Sequence, residues 1–311
     1  MQEDLPAQDR CPASLVGGHP RRVAAGGLAA DQVVGAAGRS RVPVKVPLGS
    51  PVSCSGDGGP AAAMVCLVNG GFDLHDELAQ GVRDAAGAWR FIRLFAALYA
   101  SPIVAGDGRN DSELRAAESR LGFRLPASLR EAYALVGRRN DLTRSQDRLL
   151  APNEVGVDGT GQVLVFRVEN QNVAQWGVPL SAVTEPDPPV VFRVESASKA
   201  ERDWQPFLDR VSLACVEMVL SEWMFSGEVF ADSRELDDEA VALLEKGFRR
   251  LPMPDYPFWA GPDGRPMRWF DGLGAVLRED GGAWLWVGAA TAGGIAGVRR
   301  ALPGEWLMDE G

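Results

Sequence analysis

From Asp73 onward the apolar positions fall on helical spacing. Leu74, Leu78, Val82, Ala85, Trp89, Ile92, Ala96 and Tyr99 recur every three or four residues, the period of one buried helix face. Ser101-Pro102 and Gly106-Asp107-Gly108 interrupt the pattern. A second helix is expected from Asn110 or Asp111, because Glu113 stands three residues after Asn110, the spacing of a capping box. Leu114, Ala117 and Leu121 make its apolar stripe, and Gly122 suits the left-handed position that ends a helix. Pro126 predicts the first turn of a third helix, where a missing N–H costs nothing. Leu129, Tyr133, Leu135 and Val136 follow, and Gly137 closes it.

The period then changes. Val163, Leu164, Val165, Phe166 and Val168 predict a buried strand over 162–168, and 173–176 and 190–194 predict two more. Trp204 to Phe225 reads as helical again, with Pro206 early enough to be tolerated. Leu236 to Phe248 predicts a shorter helix, whose start gathers Asp237, Asp238 and Glu239 as the helix dipole favours. Beyond Pro252 come turn signals and aromatics. Trp284 and Trp286 lie two apart and so share one face of a strand, with Leu285 on the other. A last helix over 289–301 is weakened by Gly293, Gly294 and Gly297. Helices and strands follow each other in blocks without a βαβ rhythm, which predicts an α+β fold with a mostly antiparallel sheet packed by helices. Whether the Trp-rich strands join that sheet stays open.

Residues 1–63 change the picture, because they hold seven prolines, Gly and Ala runs, and no Trp, Tyr or Phe. Such a stretch buries too little apolar surface to offset the entropy of ordering. Residues 1–71 are therefore expected to be a disordered or mis-annotated arm, the alternative being that Met64 is the true start and residues 1–63 precede it, with one domain over 72–309. The arm's six basic and five acidic side chains net +1, so the whole-chain charge of -10 leaves -11 on the remainder. An acidic protein is repelled by phosphate, which argues against direct nucleic-acid binding. No run approaches the ~18 apolar residues that span a bilayer. The amino terminus lacks a basic and apolar leader. Cys11, Cys54, Cys66 and Cys215 are scattered without a C-x-x-C pair. A cytoplasmic protein with reduced thiols, no membrane contact, no metal and no cofactor is expected.

Candidate catalytic chemistry is sparse. His19 and His75 are the two histidines, and His75 sits beside Asp76 and Glu77 at a helix start. No Ser or Cys has a base partner visible in the sequence, and there is no G-x-S-x-G elbow. The glycine-rich run 156–161 lacks the Lys-Ser/Thr ending of a phosphate loop and precedes a strand, so it is expected to be a hairpin turn. No catalytic residue is assigned, and the sequence points away from an enzyme.

One pattern is more specific. The run Glu118-Ser119-Arg120-Leu121-Gly122-Phe123-Arg124-Leu125-Pro126, followed by Tyr133, resembles the entry to the SUKH superfamily. Glu169-Asn170-Gln171, Trp176-Gly177-Val178 and Asp187-Pro188-Pro189-Val190 resemble strand segments of its actinobacterial members. The likeness extends over about 72–309 and is most specific over 112–192. Where members commonly end the third helix with Asn-Gly, this chain has Gly137-Arg138-Arg139-Asn140-Asp141. The resemblance implies a SUKH-like α+β domain that binds protein without catalysis. It implies an immunity protein that neutralises a nuclease or deaminase toxin by covering its active surface, the partner being a basic toxin domain. An intracellular interaction scaffold or regulator is the alternative, and an uncharacterised enzyme the third reading. The motif and candidate partner-binding residues are Glu118, Gly122, Pro126, Glu169, Asn170, Trp176 and Asp187. Local folding roles compete at each: turn and cap signals at Gly122, Pro126 and Asp187, core packing at Trp176, loop hydrogen bonding at Glu169 and Asn170.

Overall fold

Asp73 accepts a hydrogen bond from Asp76 N and starts one helical turn, α1 (Leu74–Asp76), which widens into a π-turn over Glu77–Gly81. The computed structural model describes residues 72–194, 203–261 and 264–308. The expected arm, and three of the four cysteines, lie outside them. Asp84 caps α2 (Ala85–Tyr99) through Gly87 N, so the expected helical face is split in two. Its period runs on across the corner because both pieces bury their apolar side in one core. At that corner a Cβ on Gly87 would stand 1.7 Å from the Gly81 carbonyl, which leaves room for glycine alone.

The expected capping box is present in α3 (Asp111–Leu121), and Gly122 ends it at φ 81°. Pro126 holds the N-cap of α4 (Ala127–Val136), one position before the expected first turn. A short α5 (Asn140–Thr143) follows in the Gly137–Asp141 stretch.

The first sheet is antiparallel in the order β1 (Asp147–Leu149), β3 (Val163–Glu169), β4 (Ala174–Pro179), β5 (Val190–Val194) and β6 (Gln205–Leu208), with β2 (Gly156–Val157) also beside β3. Run 156–161 forms the β2–β3 turn, where Asp158 accepts from Gln162 N and Val163 N. The expected helix from Trp204 is corrected here. Residues 205–208 are a strand, Pro206 opposite Val191, and the helix starts only at Val211. An edge strand tolerates a proline because its outer N–H positions need no partner.

That helix, α6 (Val211–Met224), has all of its residues buried. It packs against α2, α4 and α5 and touches β6 of the first sheet and β11 of a second. The second sheet is antiparallel in the order β7 (Phe230–Glu235), β11 (Trp284–Ala289), β10 (Ala275–Asp280), β9 (Arg268–Gly272) and β8 (Arg249–Arg250). The Trp-rich strands therefore form a sheet of their own. Two helices, α7 (Asp238–Gly247) and α8 (Ala292–Ala301), cover its far face. Along β10, Ala275 and Leu277 belong to the core under α7 and α8, while Val276 belongs to the larger core that holds α6, the period-two alternation of a strand buried on both sides. Leu285 and Trp286 divide between the same two cores, as their spacing predicts. The architecture is α+β. Among the described residues no helix is long and apolar enough to cross a membrane.

Candidate functional site

The seven motif residues are spread over the fold. Glu118 on α3 accepts from Leu125 N and Arg130, tying the α3–α4 corner that Gly122 and Pro126 shape. Ser128 N donates to Pro186 O, so Asp187 lies at the same end. There Asp187 accepts from Ser212 N at 2.9 Å and Ser212 Oγ at 2.5 Å, capping α6, whose own N-cap Arg210 makes no capping bond. Glu169 is buried at the end of β3 and accepts from Gln171 N and Val173 N; Asn170 beside it is exposed. Trp176 is buried against Phe207, with the Arg167 guanidinium 4.8 Å from its ring. Glu118, Gly122, Pro126 and Asp187 thus share one corner, while Glu169, Asn170 and Trp176 stand apart from it.

The densest chemistry lies elsewhere, where α6 meets both sheets. Arg167 of β3 donates from Nη1 to Glu217 at 2.7 Å, and from Nη2 to Asp147 at 2.8 Å and Glu222 at 3.2 Å. Glu222 also accepts from Gln146 N at 2.6 Å and Asp147 N at 3.1 Å, which anchors the α5–β1 connection to α6. Glu217 accepts from Ser221 Oγ and Tyr256 OH. Ser221 accepts in turn from Arg278, which forks onto Asp280, and Trp286 donates to Asp280 as well. Trp269 donates to the Tyr256 oxygen. One chain of hydrogen bonds thus runs from β1 through α6 to β11.

Burial sets the proton affinities. It pushes Asp147 and Glu222 above the ordinary carboxylate range, against the pull of Arg167. It raises Asp280 likewise against Arg278, and lifts the Cys215 thiol to about 12. For Arg167 burial works against the charge, but the carboxylates of Glu217, Asp147 and Glu222 outweigh it and hold the guanidinium above its usual value. Glu222 is 0% exposed and the Asp147 side chain only 11%, so the network fastens the fold and does not face a ligand. The sequence carried a signal for it. Arg167 interrupts the apolar run of β3, and Glu217 and Glu222 interrupt that of α6. A lone charge inside an apolar run needs a buried partner.

One exposed stretch is acidic. Glu235 at the end of β7, and Asp237, Asp238 and Glu239 at the start of α7, all face solvent. Asp237 caps α7 through Ala240 N, as the dipole reading expects. Asp238 is 97% exposed, with Arg265 3.6 Å away. Glu235 and Glu239 have no ion-pair partner among the described residues. Beside them a groove of about 410 Å³ runs between Asp238, Val241, Ala242 and Glu245 of α7 and the arginines Arg250 and Arg268. Those arginines are already held, Arg250 by Asp255 and Arg268 by Glu245 and Glu279. Exposed Lys246 near the end of α7 likewise has no ion-pair partner among the described residues, so the acidic character of this side is concentrated at the start of α7.

Asp73, His75 and Asp76 bring possible metal-ligand atoms within 4.8 Å of one another. Both oxygens of Asp73 are engaged by Arg249 at 2.9 Å, and one also by Asp76 N, so the group is spoken for by the helix cap and an ion pair. No family model matches the chain, and comparison with curated proteins and with solved structures finds no match.

Proposed function

We propose that the chain is a non-catalytic protein-binding domain of SUKH type, an immunity protein that acts in the cytoplasm by covering the active surface of a basic nuclease or deaminase toxin. The observation that supports this reading is the exposed acidic edge of Glu235, Asp237, Asp238 and Glu239. A nuclease or deaminase that takes nucleic acid needs a basic surface for its substrate, and an acidic edge competes for that surface. It also speeds encounter through complementary charge. The sequence resemblance over 112–192 supplies the toxin class.

The test uses the full chain as bait for lysate and secreted protein of the producing strain, washed across a salt series. A basic protein is expected to bind and to be released steeply as salt rises. Co-expression of the chain should relieve that protein's toxicity. The combined variant Glu235→Gln, Asp238→Asn, Glu239→Gln should weaken retention about tenfold or more while leaving the melting temperature within about 2 °C, since exposed substitutions cost little. Retention unchanged by the triple variant, or capture of resident proteins without salt dependence or protection, would overturn the reading in favour of a scaffold.

A further inference from the structure

Two acids in the buried network compete for one nitrogen. Asp147 Oδ2 and Glu222 Oε1 both accept from Arg167 Nη2, at 2.8 and 3.2 Å, while Glu217 occupies Nη1. The groups facing this pair come from every element around it. β1 contributes Asp147, β3 contributes Arg167 and Glu169, and α6 contributes Glu217, Ser221 and Glu222. Tyr256 approaches from the segment before β9, and β10 contributes Arg278 and Asp280. Arg278 is taken by Asp280. Glu169 is held by Gln171 N and Val173 N, which leaves one guanidinium for the three buried carboxyl groups that accept from it, Asp147, Glu217 and Glu222. A buried cluster carrying two net negative charges is costly, and protonation of one acid is the cheaper state.

We infer that Asp147 and Glu222 share a single proton in the protein at neutral pH, and that its loss loosens β1 from α6, making this joint a pH-sensitive latch. Geometry names the side that yields. Glu222 sits on a helix buried along its whole length, whereas Asp147 lies on a three-residue strand that pairs only with β3. Repulsion between two ionised carboxylates therefore moves β1 outward, toward the one partly open side of the pair. Because the folded protein binds a proton that the unfolded chain has released, this contribution to stability is full only below the ordinary carboxylate range, under about pH 4. It falls across the range from the ordinary carboxylate values up to the raised values of the pair, and is lost above them. The folding equilibrium constant drops by up to about tenfold per pH unit within that range.

Carboxyl-carbon NMR of the full chain between about pH 5 and 9 tests the inference, together with amide exchange corrected for its intrinsic pH dependence. The Asp147 and Glu222 signals should move together above the ordinary carboxylate range. Gln146 and Asp147 amides should lose protection over the same interval. Glu222→Gln, which imitates the protonated acid, should abolish the titration and keep those amides protected at alkaline pH. Asp147→Asn, or the wild-type signals alone, decide the matter should that variant fail to fold. Carboxyl signals that stay flat across the range would overturn the shared proton, and amides that stay protected through the titration would overturn the latch.

Discussion

Asp187 distinguishes a folding role from a binding role at a single atom pair. It stands between Pro186 and Pro188, and its carboxylate holds Ser212 N at 2.9 Å and Ser212 Oγ at 2.5 Å. Ser212 is 0% exposed, so no water replaces the lost acceptor. Removing an N-terminal cap costs about 1–2 kcal/mol. Leaving a buried N–H unpaired adds about 1 kcal/mol. Asp187→Ala should therefore destabilise the protein by about 2–3 kcal/mol, which for a domain of this size lowers the melting temperature by roughly 4–12 °C. Asp187→Asn keeps an acceptor for Ser212 N and loses only the charge near the helix N-terminus, about 0.3–1 kcal/mol. Urea unfolding followed by tryptophan fluorescence reads both, and the midpoint should fall in the order wild type, Asn, Ala. A loss below about 0.5 kcal/mol for Asp187→Ala would refute the capping argument. Weakened partner binding at unchanged stability would assign Asp187 to the interface instead.

Arg167→Met should cost about 3–5 kcal/mol in the same assay, because it strips the cation from Asp147, Glu217 and Glu222 and leaves their charges buried; a loss under 1 kcal/mol would mean that the network is not the fastening described. Gly177→Ala in β4 should cost about 2–3 kcal/mol by overpacking, since its Cβ would meet Val163 Cγ1 at 2.4 Å and the Leu164 carbonyl at 2.6 Å. A melting temperature within 1 °C of wild type would show that the β3–β4 contact gives way freely. Asn170→Ala, at an exposed turn position, should stay within about 0.5 kcal/mol of wild type, and a larger change would point to a bond that the turn conceals.

Much of the local structure was legible because its causes are local. Asn110 and Glu113 close their capping box within one turn, and the β-branched run of β5 sits at Val190–Val194 as its composition predicts. The helical period from Leu74 to Tyr99 was legible as a buried face but not as two pieces, since the corner is made by contact between Gly81 and Gly87. The stretch from Trp204 misled for a related reason. Its apolar positions suit a helix, and only pairing with β5 makes 205–208 a strand. The Trp-rich strands could be placed on a face by their alternation but not in a sheet, because the order β7-β11-β10-β9-β8 depends on pairings between distant segments. The charge network was the least legible part. Gln146 and Glu222 are 76 positions apart, and only the odd charges inside β3 and α6 hinted that partners were needed. The acidic edge of α7 was visible as a helix start, while the groove beside it required the fold.

The burial of α6 along its whole length has a consequence for how the chain is made. Strands β1 to β6 are complete by Leu208, yet the helix on which Tyr133, Phe95 and Arg167 depend for their packing lies beyond them, and Trp223 at its end wedges between Phe95 and Tyr99. A nascent chain ending at β6 has a sheet with one side unfinished. The same helix carries the first contacts of the later sheet, through Trp223 on Gly288 and Ser221 on Arg278. A cut between the two sheets is therefore expected to yield two halves that each lack packing the other supplies, α6 being common to both.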